Sequence, residues 1–222
     1  MTFGSEFWSL VGGAVLGGTI AAAIQLIPLK ESRRQRAQDQ EEARKALGHA
    51  MLFKMIKIYS NVRWFQNYLT EASNFADKHE PKLEPWQSVR AAANCPDRIH
   101  FKTDEMALIL SFNDDELFNG MMLIDENHNS LVGTFSLFCS KRQSLMQMMP
   151  ADMEGEMAKI ELTEEALRIV RPRMVELNLL VGEITKMVEQ DVGDSFRILQ
   201  GLHKGLTKRL GFTKKLEFPD SQ

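Results

Sequence analysis

The chain lacks the short motifs that identify most enzymes and metal proteins from sequence. Its 222 residues include only two cysteines, Cys95 and Cys139, without CxxC spacing. This argues against a disulfide framework and a zinc site, and it favours a reducing compartment. Neither a GxSxG serine nor a phosphate-binding Gly-x4-Gly-Lys-Ser/Thr loop occurs. We therefore predict a non-enzymatic protein without a cofactor or a bound metal.

A large excess of one charge is also missing. The formal net charge is −3, so no overall field draws the protein onto nucleic acid, and nucleic-acid binding is not expected. Sustained alternation of apolar and polar residues, the pattern of strands, is not found either. The abundant Leu, Met, Ala, Glu, Lys and Gln are good helix formers, and an all-α fold is predicted.

One stretch without any charge, residues 8–29, stands near the start. As a helix it would be about 33 Å long, enough for a hydrocarbon core of about 30 Å. Only Glu6 and the α-amine precede it, whereas four basic residues follow closely: Lys30, Arg33, Arg34 and Arg36. The positive-inside rule then predicts a single-pass protein of the cell inner membrane, with its N-terminus outside and its bulk cytoplasmic.

Two alternatives to this anchor remain. A cleaved signal peptide would have a positive n-region and a shorter apolar run, and the chain has neither. A buried helix of a soluble domain is the other alternative. Both are weaker interpretations than an uncleaved anchor that contacts the lipid bilayer.

Small residues lie at helical spacing within the stretch. Gly13 and Gly17 form a GxxxG motif, and Gly18 with Ala22 extends the small face. Such a face lets two helix backbones approach closely, so a homo-oligomer packed through the membrane helix is predicted. Glycine is also simply common in membrane helices, which is the alternative explanation. No charge within the stretch supports a pore.

The pattern of polar and apolar residues divides the whole chain into four predicted parts. Residues 1–29 form the segment with the anchor, and residues 30–46 form a polar juxtamembrane stalk, with a disordered linker as the alternative. Residues 47–210 form a cytoplasmic helical bundle. Residues 211–222 form a flexible tail.

Three apolar stripes with helical spacing predict three long helices in that bundle. They begin near residues 47, 113 and 163, and short helices are expected at residues 86–93 and 104–110. The third stripe runs from Leu167 to Val188 in a heptad pattern and is expected to resume out of register at Phe196. Three helices joined end to end predict an antiparallel up-down-up bundle.

His128 falls on the core stripe of the second long helix. As a candidate functional histidine it has two chemical interpretations: a phosphoacceptor, which needs an exposed imidazole, or a metal ligand together with Asp125 at i,i+3. The third interpretation is a core histidine hydrogen-bonded to a polar group of the first helix. We favour this interpretation, because the sequence lacks features that each of the other two needs.

The end of the chain is basic. Lys204, Lys208, Arg209, Lys214 and Lys215 form a candidate patch for an acidic partner. Anionic lipid is a second partner class, and a solvated helix end that complements the helix dipole is the simplest alternative. In an up-down-up bundle this patch would lie far from the membrane.

Three functions fit these features. The first is a membrane-anchored scaffold or sensor whose bundle binds an unknown cytoplasmic protein. The second is a membrane-acting effector whose glycine-rich span oligomerises and permeabilises. The third is phosphotransfer or signalling through His128.

Overall fold

The computed structural model describes residues 4–78, 83–92, 95–149, 152–154, 157–159 and 163–213. Side chains are described from residue 31 onward, except at residues 152–159. Five helices and two short strands occur in these ranges: α1 Gly4–Asp77, α2 Pro85–Ser88, α3 Thr103–Leu110, α4 Asp115–Met148, β1 Asp152–Glu154, β2 Met157–Lys159 and α5 Glu164–Leu210. The regular structure in these ranges is thus helical apart from the antiparallel pair β1–β2, which no alternating pattern in the sequence indicates.

The chain divides into two compact units, Met1–Leu47 and Gly48–Gln222. In the first unit the backbone is helical from Gly4 onward. Over the residues whose side chains are described, no helix is both long and apolar enough to cross a membrane. The predicted anchor, residues 8–29, lies outside those residues, as do its small-residue positions Gly13, Gly17, Gly18 and Ala22.

The second unit is a helical bundle whose described helices bury apolar side chains between them. Methionine and branched side chains of α1 fill one end of it, and an aromatic group fills the middle. The Phe65 and Phe135 rings meet edge to face at 5.2 Å, and Phe135 also contacts Trp64 and Phe138. Phe65, Phe135 and Phe138 are the largest of the fully buried side chains in the described part of the chain.

The order of the long helices differs from the prediction. Asn61 and Phe65 of α1 lie beside His128 and Phe135 of α4, so residue numbers rise in the same direction and these two helices are parallel. Tyr59 of α1, in contrast, packs against Phe196 of α5. Since Lys141 pairs with Glu176 and Asn127 with Asp191, α5 is antiparallel to α4. It is therefore also antiparallel to α1, which is parallel to α4. The bundle is therefore up-up-down, and the predicted up-down-up order is wrong.

The connection between α1 and α4 explains this order. A short α2 is followed by extended chain through residues 95–102 and then by α3. Extended chain covers about 3.3 Å per residue, more than twice the rise of a helix, so the segment returns to the bundle's starting end. Where a helix over residues 86–93 was predicted, α2 is only four residues long, and residues 89–92 are not helical.

Side chains of α4 hold the extended segment by its backbone. Asn129 accepts a hydrogen bond from the Ile99 N–H at 3.0 Å and donates one to the Ile99 carbonyl at 2.6 Å. One turn earlier, Asp125 accepts from the Phe101 N–H at 3.1 Å. Ile99 is buried, so without these side chains its polar backbone groups would lose water and gain no partner. We call this arrangement the clamp.

Lys54 of α1 completes the clamp from the opposite side. Its ammonium donates to the His100 carbonyl at 2.9 Å and to the Glu105 carboxylate at 2.7 Å. The Glu105 side chain is only 3% exposed, so this pair has much less solvent screening than a surface ion pair. Glu105 also accepts from the Lys102 N–H and so caps the start of α3.

The Asn129→Ala substitution should destabilise the second unit by about 2–4 kcal/mol, because it leaves two buried backbone groups of Ile99 unpaired. Urea unfolding followed by far-UV circular dichroism measures this loss. Ser130→Ala, at the exposed neighbouring position of the same helix, should change stability by less than about 0.5 kcal/mol. Equal effects of the two variants would show that the clamp does not hold the segment.

Candidate functional site

The most unusual feature of the core is a layer of polar side chains. His128 and Ser195 are fully buried and Asp191 is 1% exposed. His128 bonds to Asn61 of α1 and Asp191 of α5 bonds to Asn127 of α4, while Ser195 lies one turn from Asp191 on α5. We call these five residues the polar layer. Buried polar groups are costly unless they are paired, so the partners of each group decide what the layer can do.

His128 is paired with the first helix, as its third interpretation expects. The Asn61 amide lies 3.0 Å from His128 Nε2 and donates to it when the imidazole is neutral, with its proton on Nδ1. His128 Nδ1 has no hydrogen-bond partner among the described residues. Burial lowers the pKa of His128 from 6.5 to about 4, against the opposing charge of Asp125. The imidazole is therefore neutral near pH 7.

This environment gives the other two interpretations of His128 no support. A phosphoacceptor needs a solvent-accessible nitrogen, and this side chain is 0% exposed. Asp125, the predicted second metal ligand, holds the Phe101 N–H instead. In the described part of the chain, no group of three or more His, Cys, Asp and Glu side chains is arranged to bind a metal ion.

Asp191 is the second titratable member of the polar layer. Its Oδ1 accepts from the Asn127 amide at 3.0 Å, and Oδ2 lacks a partner within the described residues. Burial raises the pKa of Asp191, although the hydrogen bond from Asn127 counteracts part of this effect. Burial thus disfavours the charged form of both groups, and the folded state resists protonation of His128 and deprotonation of Asp191.

The polar layer also corrects the predicted break in the third apolar stripe. Val188, Asp191, Ser195, Ile198 and Leu202 are all buried and follow one another at intervals of three and four. The stripe therefore continues in register through two polar positions, rather than resuming out of register at Phe196. The spacing predicts this continuous stripe only if polar residues are accepted as members of the buried face.

The basic end of α5 is the other sequence-predicted site. Lys204, Lys208 and Arg209 line a groove of about 450 Å³ between α5 and the start of α4. The Arg209 guanidinium donates to the Phe112 carbonyl at 2.9 Å. Lys214 and Lys215 lie outside the described residues, so the predicted patch is described only in part.

Acidic residues share this groove. Asp114 and Glu116, at the start of α4, line the same groove as the lysines and offset part of the positive charge. Asp114 also caps α4 by accepting from the Leu117 N–H at 3.0 Å. The groove is therefore mixed in charge, which favours the solvated helix end over a strong anion site.

The position of the basic end also differs from expectation. A Cβ on Gly48 would lie 2.8 Å from the Leu206 side chain and 3.1 Å from that of Leu210. The end of α5 therefore packs beside Gly48, the residue at which the second unit begins. A basic end far from the start of the bundle would require the up-down-up order, which is wrong.

Comparison with known proteins gives no match: no family model fits the sequence, and neither a curated protein nor a solved structure is significantly similar. Function must therefore be argued from the residues themselves.

Replacement of His128 by Gln should remove the part of the acid sensitivity that comes from this histidine. The folded-state pKa is about 4 and the unfolded value is 6.5, so the unfolded chain binds the proton first and stability falls as the pH drops through this window. A shift of this size corresponds to about 3 kcal/mol lost by the wild type. His128→Gln retains an acceptor for Asn61 and should not show this loss.

Urea unfolding at pH 7, 5.5 and 4 measures the difference between the two proteins. Other groups titrate equally in both, so the difference isolates His128. Parallel stability curves for wild type and variant would mean that His128 is not held neutral in the core.

Proposed function

We propose that the protein is a non-enzymatic, single-pass inner-membrane protein whose cytoplasmic bundle binds a partner as a scaffold or sensor. The uncharged stretch at residues 8–29, followed at once by basic residues, carries this proposal. The helical backbone from Gly4 to Asp77 is consistent with an anchor helix.

Self-association through the anchor is part of the proposal. Gly13 and Gly17 place the smallest side chain on one helical face, with Gly18 and Ala22 on a neighbouring one. In a bilayer, where apolar contact alone gives a helix no preference for another helix over lipid, close backbone approach is the main source of attraction. We infer that copies of this chain pair through these residues.

Exposed apolar side chains on α5 support a binding role for the bundle. Ile169, Val175 and Leu179 are 59%, 51% and 69% exposed, respectively. Val175 and Leu179 point away from the core-facing Leu177 and Val181, one turn apart. Apolar groups repeated on an outward face are typical of surfaces that meet another protein.

The buried polar layer favours a bundle with one specific helix arrangement. Misplacing His128 or Asp191 opposite apolar side chains would cost more than misplacing a leucine. Such specificity is useful to a domain that must present a defined surface, and it suits an interaction domain better than a passive spacer.

The anchor is tested by fractionating cells that express the full chain and cross-linking the membranes. The product should be recovered with the membrane, with its bundle protected from protease added outside the cell. Cross-linked oligomers should appear, and the double variant Gly13→Leu/Gly17→Leu should reduce them at least about threefold while leaving membrane recovery unchanged.

Ala23→Leu is the matched control, since it adds the same kind of bulk on a different face of the helix and should leave the oligomers intact. Recovery of the full chain in the soluble fraction would refute the anchor. Membrane recovery with Gly-independent oligomers would refute only the packing face. Growth arrest that requires the glycines would favour the membrane-acting effector instead.

A further inference from the structure

The fold brings the chain's two cysteines together. Cys95 belongs to the extended segment and Cys139 to α4, and both thiols are free. The Cys95 thiol donates to the Ala92 carbonyl at 3.6 Å. The Ala92 backbone and the Cys95 thiol are also neighbours close enough to act on the pKa of the Cys139 thiol. No motif indicates this pair in the sequence, because the two residues are distant along the chain.

The course of the connecting segment explains why Cys95 lies near Cys139. Arg142 Nε donates to the Trp86 carbonyl at 3.3 Å, and a Cβ on Gly133 would lie 2.8 Å from Arg98 Nη2. The next contact along the segment is the clamp, where Asn129 holds Ile99. The segment thus runs along α4 in the opposite direction, and Cys95 is brought level with Cys139. These contacts place the pair independently of any property of the thiols.

The two thiols differ in access. Cys95 is exposed, whereas Cys139 is half-buried beside the aromatic part of the core. Burial raises the pKa of the Cys139 thiol, the neighbouring Cys95 thiol raises it further, and a backbone hydrogen bond from Ala92 and the charge of Arg142 oppose this. A thiol reacts as its thiolate, so Cys139 is unsuited to attack an oxidant first. Cys95 is the accessible member.

We propose that Cys95 and Cys139 form a redox site that closes to an intrachain disulfide on reaction with a peroxide. The Cys95 thiolate attacks one peroxide oxygen, breaking the O–O bond, to give a sulfenic acid and one water after protonation. The Cys139 sulfur then attacks the Cys95 sulfur, forming the S–S bond and releasing a second water as Cys139 loses its proton. Two thiols are oxidised by two electrons and one peroxide is reduced.

The disulfide would fasten the connecting segment to α4 covalently, next to the clamp. Because it closes a loop of several tens of residues, it restricts the unfolded chain and stabilises the folded one. Oxidation would therefore tighten the segment that sets the parallel arrangement of α1 and α4. This effect is independent of the membrane anchor and of the proposed function.

The test treats the purified full chain, in detergent, with a slight excess of hydrogen peroxide. The monomer should lose both titratable thiols and about 2 Da of mass. After digestion with trypsin without reduction, the peptide of residues 91–98 should be joined to the peptide of residues 103–141. The midpoint of thermal unfolding should rise by about 5–10 °C and return on reduction.

Single variants separate this site from ordinary cysteine oxidation. Cys139→Ser should leave Cys95 to form a sulfenic acid, higher oxides or a linked dimer, whereas Cys95→Ser should leave Cys139 largely reduced. Neither variant should gain thermal stability with peroxide. The proposal is wrong if the wild type yields dimers or higher oxides of Cys95 while Cys139 stays reduced, because the thiols then do not meet.

Discussion

The arrangement of the bundle depends on how the extended connecting segment, which is buried at Ile99, finds hydrogen-bond partners away from a sheet. The segment at residues 95–102 has no neighbouring strand among the described residues, so its amides and carbonyls pair with side chains. Asn129 satisfies both backbone groups of Ile99, while Asp125 and Lys54 satisfy its neighbours. If these side chains were absent, the buried backbone groups of Ile99 would favour solvent. The segment would then not return along α4, and the contacts that set α1 parallel to α4 would be lost.

The polar layer adds a second constraint at the same level of the bundle. His128 faces Asn61 on α1 while Asn127 reaches Asp191 on α5, so one turn of α4 fixes the register of both partners. Burial lowers the pKa of His128 and raises the pKa of Asp191, so the folded protein disfavours the charged form of both side chains. The layer therefore sets helix register at some cost in stability, and that cost depends on pH.

Apolar spacing predicted the core well because it reports which face of a helix avoids water. Met51, Met55, Ile58 and Val62, in the stripe that begins near residue 47, are fully buried, and α5 begins at Glu164, next to the start predicted near residue 163. Helix order was not predictable in this way, since the same stripes fit either order and the connecting segment decides between them. Its extended course depends on the distant residue Asn129. Long-range pairing also explains why the cysteine pair and Asp191 were missed.

Pulsed electron spin resonance between two pairs of spin labels tests the up-up-down order most directly. Labels replacing Asn74 and Ser144, both exposed, should be within about 25 Å, because the ends of α1 and α4 lie at the same level. Labels at Asn74 and Glu116 should be about 40 Å apart, since 28 residues of helix at about 1.5 Å each separate Glu116 from Ser144. A long first distance with a short second one would mean that α1 and α4 are antiparallel, which would contradict both the up-up-down order and the role of the clamp.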